Sequence, residues 1–166
     1  MVRIDRLIMV MFALFILGCN QPTTTISTPA NESGQIEKEA ILKTLINETR
    51  AASARNYRTW QTHWVHRPSV SKTYMNFAGT SFSEMNSWEE IDDFVKKYME
   101  EHPDPVPPPA PPENVHIELY GNGAWVSYEM LDEVFGNKRE TRLMEKANGQ
   151  WKIASMHTSI YGFNKR

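Results

Sequence analysis

Histidine and cysteine are the residue types here that most readily bind metals or act as nucleophiles, and the chain has five His and one Cys. His63 and His66 lie at positions i and i+3 in the segment HWVHRP, so both could bind one metal ion if a third ligand joined them. No carboxylate follows at a recognisable spacing, and a lone Cys excludes a thiolate-rich zinc site and an intramolecular disulfide. We therefore expect no metal and no cofactor, and interpret the two histidines as capping or surface residues.

A hairpin near the end of the chain brings other polar side chains together. Its turn is Asn148-Gly149, the dipeptide that favours a two-residue β-turn. This turn predicts three facing pairs: Met144 with Ile153, Arg142 with Ser155, and Glu140 with His157. Strand alternation then puts Arg142, Trp151, Ile153, Ser155, His157 and Ser159 on one face.

Arg142 is the charged residue at the centre of this otherwise apolar face. Burying a guanidinium alone is expensive, so Arg142 needs a partner or a ligand. Glu140, Tyr74 or an anionic ligand could serve. The other face would carry exposed aromatic and Met side chains, a pattern typical of a partner surface. We interpret that face as a homodimer interface, formed by Tyr120, Trp125, Leu143, Ala154 and Met156.

The elements that must position these residues are three helices and several strands. Apolar spacing predicts helices over 35–55 and 57–64, and the capping box Ser87-Trp88-Glu89-Glu90 opens a third that ends by Pro103. Trp60 and Trp64 lie in the second helix, either as core or as a stacking platform. Residues 72–77 (KTYMNF) predict a short strand. The order predicts an α+β domain, with about three helices packed on one side of a curved antiparallel sheet.

A second predicted hairpin lies N-terminal to the Asn148-Gly149 hairpin. Residues 115–120 and 124–130 predict two strands around Gly121-Asn122-Gly123. With Asn122-Gly123 as its loop, Leu119 would face Val126 and Ile117 would face Tyr128. Seven of the ten prolines lie just before it, in residues 103–112 (PDPVPPPAPP). They predict a stiff, extended crossover loop unable to join a sheet, or alternatively a PxxP ligand for a partner domain.

The N-terminal segment predicts a targeting signal rather than part of the folded domain. Arg3 and Arg6 precede eleven apolar residues ending at Leu17, fewer than the roughly 20 that span a bilayer. Residues 16–19 (ILGC) resemble the bacterial lipobox, whose Cys becomes the lipidated first residue of the mature chain. We therefore expect a signal peptide at 1–18, a membrane anchor at Cys19, a flexible tether over 19–34 and one domain over 35–166. Asn20 favours the outer over the inner membrane of the cell envelope.

Composition excludes one class of partner. The chain of 166 residues has 18 Lys and Arg against 20 Asp and Glu, a formal net charge of −2. Nucleic-acid binding needs a basic patch or stripe, so we expect no nucleic acid. Hydrophobic content of 40% and aromatic content of 11% suit a globular core.

The element order and two motifs resemble the SnoaL-like branch of the nuclear transport factor 2-like superfamily. The resemblance covers roughly residues 35–164. It is carried by GNGAWVSY and TRLMEKANGQWKIASMHTS, through Gly121, Ala124 and Val126, then Thr141, Arg142, Gly149, Trp151, Ile153, His157 and Ser159. It implies a sheet wrapped around a cone-shaped cavity, helices that close the wide end, and dimerisation through the outer face in many relatives.

The resemblance also implies where chemistry would occur. Polyketide cyclases, ketosteroid isomerase and dehydratases of this superfamily place an acid or a histidine inside the cone. The corresponding candidates are His63, His66, Tyr74, Glu140, Arg142 and His157, with His157 as base and Arg142 as electrostatic stabiliser. The isomerase-type Asp has no match in KTYMNF, and His157 could instead be structural. The expected pocket comprises Trp60, Trp64, Tyr74, Tyr128, Glu140, Arg142, Ile153, Ser155 and His157.

Three hypotheses follow from these observations. The first is a cell-envelope lipoprotein that binds a small apolar molecule, either neutral or anionic, in its cone without catalysis. The second is a cyclase, isomerase or dehydratase-type enzyme that uses a pocket His as acid or base. The third is a structural dimer whose cone is filled by side chains.

Overall fold

The computed structural model describes residues 29–77, 80–132 and 136–162 of the chain. The predicted signal peptide, Cys19 and most of the predicted tether lie outside these residues. Within them, no helix is both long enough and apolar enough to cross a membrane.

Three helices form, close to where apolar spacing and caps predict them. They are α1 (Pro29–Ser53), α2 (Tyr57–Gln61) and α3 (Trp88–Glu101). Residues 29–34, which the sequence assigned to the tether, belong to α1, and proline is well tolerated in a first helical turn because its missing N–H needs no partner there. The Ser87 hydroxyl accepts the Glu90 N–H at 3.2 Å, which confirms the predicted cap of α3.

Six strands form one curved sheet. They are β1 (Ser71–Asn76), β2 (Ser81–Met85), β3 (Glu113–Tyr120), β4 (Gly123–Asp132), β5 (Gly136–Ala147) and β6 (Gln150–Ile160). The order across the sheet is β2-β1-β6-β5-β4-β3. The predicted α+β class with a curved sheet is confirmed. The sheet is mixed, because β1 pairs with β6 in parallel while the other pairs are antiparallel as expected. Strand β2 is a short, mostly exposed edge strand that its polar sequence SFSEM does not predict.

The β3–β4 hairpin keeps its predicted faces but not its predicted register. Tyr120 faces Gly123 and Leu119 faces Ala124, so the two loop residues are Gly121 and Asn122. The expected loop at Asn122-Gly123 was wrong by one residue, and Gly121 supplies the left-handed conformation with φ of 55°. The facing pairs slide by two positions, which moves no side chain to the other side of the sheet.

The β5–β6 hairpin contains an irregularity that changes its inner face. Met144 faces Ile153 as predicted, but Leu143 faces Ser155, so Ala154 is an extra, bulged residue. Beyond the bulge, Arg142 faces Met156 and Glu140 faces Thr158. The predicted pairs of Arg142 with Ser155 and of Glu140 with His157 were therefore wrong, because one inserted residue reverses the alternation of β6.

The hydrophobic core lies between the helices and one face of the sheet, called here the inner face. Across β1, β6, β5 and β4, this face carries two rows of facing residues, Lys72-Met156-Arg142-Val126 and Tyr74-Thr158-Glu140-Tyr128. Helix α3 adds Ile91, Val95 and Met99, and α1 adds Ile41 and Leu45, all buried. The opposite face, called the outer face, carries Tyr120, Trp125 and His157, all exposed.

The proline-rich segment 103–112 lies outside all helices and strands, as its sequence predicts. The Val106 N–H donates to the Ser53 carbonyl at 2.9 Å, which fixes the segment to the end of α1. Prolines from this segment and side chains of α1 and β4 line a small cavity of about 290 Å³. The loop is thus a packed wall of the domain.

Candidate functional site

A cavity of about 700 Å³ lies between the inner face and the three helices. Aromatic and apolar walls come from α2, α3, β1 and β6, through Trp60, Phe94, Tyr98, Tyr74 and Met156. Four basic side chains (Arg55, Lys72, Lys138 and Arg142) line it against two acidic ones, Glu48 and Glu140. The volume lies within the roughly 300–1,000 Å³ that is usual for small-molecule sites.

Arg142 lies at the base of this cavity beside two carboxylates. Its Nη2 donates to Glu140 Oε2 at 2.7 Å and lies 3.8 Å from Glu48 Oε2. The Tyr128 hydroxyl donates to the same Glu140 oxygen at 2.7 Å, and Lys138 Nζ lies 3.8 Å from Oε1. The Nε and Nη1 atoms of Arg142 are buried without a hydrogen-bond partner in the described part of the chain. Of the partners considered for Arg142 from the sequence, Glu140 is the one that the structure places in contact with it.

The electrostatics of this cluster fix its protonation at neutral pH. Burial alone would raise the pKa of Glu140, but the charges of Arg142 and Lys138 and the Tyr128 hydrogen bond outweigh it, and that pKa is lowered. Burial alone would lower the pKa of Arg142, but the negative charges of Glu140 and Glu48 and the Glu140 hydrogen bond outweigh it, and that pKa is raised well above its ordinary value. Burial raises the pKa of Tyr128, which stays a neutral donor. None of these three groups is poised to exchange a proton near pH 7.

Glu48 anchors two tryptophans from within the apolar stripe of α1. Its Oε1 accepts the Trp60 indole N–H at 2.7 Å and the Trp64 indole N–H at 3.1 Å. The carboxylate is 4% exposed, and it satisfies two indole donors that would otherwise be buried without partners. Glu48 thus holds the two indole rings in place and also places a negative charge beside the Arg142 guanidinium.

Lys72 reaches into the cavity from β1 and is surrounded by aromatic rings. Its Nζ lies 5.5 Å from the ring centroid of Trp60 and 5.4 Å from those of Trp64 and Tyr74. The residue is only 5% exposed. Cation–π attraction offsets part of the cost of burying an ammonium, but it supplies no counter-charge.

The structure brings together only part of the pocket predicted from the sequence. Trp60, Tyr74, Glu140 and Arg142 line the cavity, and Tyr128 and Trp64 are buried directly against lining residues. Ile153 is buried in the core. Ser155 and His157 lie on the outer face beyond the bulge, where the Ser155 and Ser71 hydroxyl oxygens are 2.8 Å apart. His157 therefore does not reach the cavity or Glu140.

The two histidines first considered for a metal are also accounted for. His66 Nε2 donates to the carbonyl of Gln61, the last residue of α2, at 2.8 Å, which confirms a capping role. Its ring stacks on Trp88 with centroids 3.8 Å apart. The expectation of a capping or surface role is wrong for His63, because its Nε2 is buried without a hydrogen-bond partner among the described residues. Burial lowers the pKa of this imidazole, although the charge of Glu48 opposes the effect. Among the described residues, no group of three or more His, Cys, Asp or Glu side chains is arranged to hold a metal ion.

Sequence reasoning missed two residues of the site, Glu48 and Lys72. Glu48 continues the α1 stripe of Ile41 and Leu45, so an acid on a buried helical stripe was the available signal. Lys72 precedes Tyr74 by two positions in β1 and shares its face by strand alternation.

Together, the curved sheet, the covering helices and the cavity between them define an α+β cone. Solved structures share this fold at low sequence identity. An NTF2-like protein of unknown function from Pseudomonas putida KT2440 aligns with a TM-score of 0.59 and 13% identity, covering 75% of this chain and 87% of that one. A cystatin-like fold protein from Burkholderia xenovorans LB400 aligns with a TM-score of 0.58 and 17% identity, covering 76% of this chain and 92% of that one. A proposed dehydratase of the NTF2-like family from Streptomyces avermitilis aligns with a TM-score of 0.56 and 14% identity, covering 78% of this chain and 97% of that one.

The sequence itself places the chain more narrowly than these structures do. The model of the SnoaL-like domain family matches residues 41–162. The chain therefore belongs to the SnoaL-like domain family. No curated protein sequence matches it.

Proposed function

We propose that this protein is a ligand-binding lipoprotein of the cell envelope, whose cone holds a small molecule without established catalysis. The observation that carries the proposal is the cavity of about 700 Å³, which combines aromatic walls with a few buried charged groups. Small-molecule sites characteristically combine a large apolar area with a few convergent polar groups. An unfilled cavity of this size also argues against the structural dimer with a filled cone.

A compound screen on the full-length chain tests ligand binding. We expect some small molecules to raise the melting temperature, and the increase to disappear in Ala52→Phe, which fills the cavity from α1. Ala54→Phe is the matched control, because Ala54 is exposed and lies outside the cavity. The proposal fails if no compound raises the melting temperature, or if Ala52→Phe responds as the native chain does.

The arrangement favours binding over the acid–base enzyme considered from the sequence. No histidine is found among the described residues that line the cavity. Glu140 is held ionised by Arg142 and Lys138, so it is a weak base at neutral pH. Because His157 lies on the outer face, catalysis by a histidine in the pocket would need a histidine other than His157.

Membrane attachment through Cys19 rests on the N-terminal sequence. The positive start, the short apolar run and the ILGC motif support cleavage before Cys19 and acylation of its side chain. Metabolic labelling with an alkyne-bearing fatty acid should label the native chain and not Cys19→Ser. The anchor proposal is wrong if the native chain, expressed in a bacterium with lipoprotein-processing enzymes, takes up no label. Fractionation of the two membranes tests the outer-membrane preference that Asn20 suggests.

A homodimer through the outer face is supported by exposed aromatic side chains. Trp125 is 42% exposed and Tyr120 49% exposed, which is unfavourable for large rings facing water. Met156 does not contribute, since it points to the inner face. Sedimentation should show a dimer for the native chain and a monomer for Trp125→Glu, whereas Lys43→Glu on the exposed side of α1 should remain dimeric. A monomeric native chain would contradict this assembly.

A further inference from the structure

Lys72 carries a positive charge that no described residue neutralises. Its ammonium forms no ion pair and no hydrogen bond in the described part of the chain, and its only close partners are the faces of Trp60, Trp64 and Tyr74. Charged side chains that are almost fully buried are normally paired, because removing an ion from water is costly. Lys72 thus lacks the counter-ion that its burial calls for.

The two carboxylates in the cavity are already committed to other groups. Glu140 accepts from Tyr128 and Arg142 and lies close to Lys138. Glu48 accepts from two indoles and lies 3.8 Å from Arg142. Two basic groups, Arg142 and Lys138, therefore match the two acids, and Lys72 is left over inside the cavity.

Arg55, the remaining basic lining residue, is engaged elsewhere. Its Nε donates to the His102 carbonyl at 2.8 Å and its Nη1 to the Ala52 carbonyl at 3.1 Å. Its guanidinium also lies 5.2 Å from the centre of the Tyr98 ring. Arg55 thus joins the end of α1 to the end of α3 through backbone carbonyls. Arg142 has two buried N–H groups without a partner but is paired with Glu140, whereas Lys72 has neither an ion pair nor a hydrogen bond to any described residue.

We propose that the ligand of this cavity is a carboxylic acid with an apolar body, whose carboxylate pairs with the Lys72 ammonium. This rests on the proposed ligand-binding function and adds the chemical class of the ligand. One ammonium without a counter-ion matches the single negative charge of one carboxylate, whereas a phosphate dianion carries two negative charges. The apolar body packs against Tyr74, Phe94 and Met156, which line the same cavity.

The position of Lys72 in the sheet supports this orientation. Lys72, Met156 and Arg142 face one another in a single row across β1, β6 and β5. Adjacent strands lie about 4.8 Å apart, so the backbones of Lys72 and Arg142 are roughly two strand spacings apart, with Met156 between them. Because Glu140 and Glu48 offset the charge of Arg142, an anion entering the cone is attracted to the Lys72 end of this row, where the ammonium has no counter-ion.

A panel of carboxylic acids, each paired with its primary amide and its amine analogue, tests the proposal by calorimetry on the full-length chain. We expect the acids to bind about tenfold or more tightly than their amides, and the amines least. Lys72→Met should abolish the preference for acids, and Lys72→Arg should keep it. Lys43→Met is the control, because it removes the same charge from an exposed position on α1. Sulfonate and phosphate analogues of the best acid test whether the head group is a carboxylate.

The outcomes separate this inference from the function on which it rests. Equal binding of acids and amides, or a preference for acids that persists in Lys72→Met, overturns the role of Lys72 and leaves ligand binding intact. A preference for amines, or for phosphates over carboxylates, overturns the assigned ligand class. If no member of the panel and no compound of the wider screen binds the native chain, both proposals fail. Replacement of an unpaired buried ammonium does not remove a counter-charge from any neighbour, so Lys72→Met is expected to fold.

Discussion

Arg142 Nη2 donates a hydrogen bond of 2.7 Å to Oε2 of Glu140, which lies two positions before it on β5. Alternation puts both side chains on the inner face, where the guanidinium also lies near Glu48 of α1. The cluster thus joins the sheet to a helix through charged groups that are nearly free of solvent. Its members depend on one another, because each would be costly to bury alone.

Replacement of Arg142 should strongly destabilise the fold. In Arg142→Met, Glu140 and Glu48 would remain buried without their shared cation, at a cost of about 3–5 kcal/mol of unfolding free energy. Arg139→Met is the control on the same strand, since the Arg139 side chain is 51% exposed; it should cost no more than about 0.5 kcal/mol. Urea unfolding of the two variants provides the comparison, and equal effects would argue against a structural role for the cluster.

The lowered pKa of Glu140 predicts a defined pH dependence. A carboxyl whose pKa is lower in the folded than in the unfolded state stabilises the fold above its unfolded value, near the ordinary 4.5. That contribution is lost as pH falls from there through the folded-state pKa. The unfolding free energy of the native chain should therefore exceed that of Glu140→Gln most above pH 4.5, and this difference should shrink on acidification. A difference independent of pH would be inconsistent with the lowered pKa.

Glu48 offers a test of the indole hydrogen bonds. In Glu48→Gln a side-chain oxygen remains to accept from Trp60 and Trp64, whereas Glu48→Leu leaves both N–H groups buried without an acceptor. An unsatisfied buried donor costs about 1–3 kcal/mol, so Glu48→Leu should be less stable than Glu48→Gln by about 2 kcal/mol or more. Unfolding followed by tryptophan fluorescence measures both variants. Similar stabilities would indicate that the indoles do not rely on this acceptor.

Two neighbouring residues of β6 test the register directly. Met156→Ala should cost about 2–5 kcal/mol, because it opens a void on the inner face. His157→Ala should change the unfolding free energy by no more than about 0.5 kcal/mol and leave ligand affinity unaltered, because His157 is exposed on the outer face. The regular register predicted from the turn would require the reverse order. Thermal unfolding together with calorimetry of any ligand found distinguishes the two arrangements.

Local patterns predicted much of the fold. The capping box of α3, the turn at Asn148-Gly149 and the apolar stripe of α1 each depend on residues close in sequence, and all three are observed. The parallel pairing of β1 with β6 joins segments some 80 residues apart, and no local pattern specifies such a contact.

The candidate site was predicted less completely, for a physical reason at each error. Ala154 is small enough to suit either face, so nothing in its side chain marks the bulge that moves Ser155 and His157 outward. Glu140 could be considered as a partner of Arg142 from the sequence because alternation within β5 puts both side chains on one face, whatever the bulge in β6 does. Glu48 was missed because its role depends on contacts with two tryptophans and an arginine that lie outside α1.

The extra residue at Ala154 has a consequence for how such a cavity can acquire new chemistry. A strand offers two sets of side chains, and whether Ala154 is bulged or regularly paired decides which set of β6 lines the interior beyond it. Regular pairing of Ala154 with Leu143 would exchange Met156 and Thr158 for Ser155 and His157, and so replace a thioether and a hydroxyl with a hydroxyl and an imidazole. Formation or loss of a bulge, and not only substitution, therefore offers a route between a binding cavity and one equipped for proton transfer.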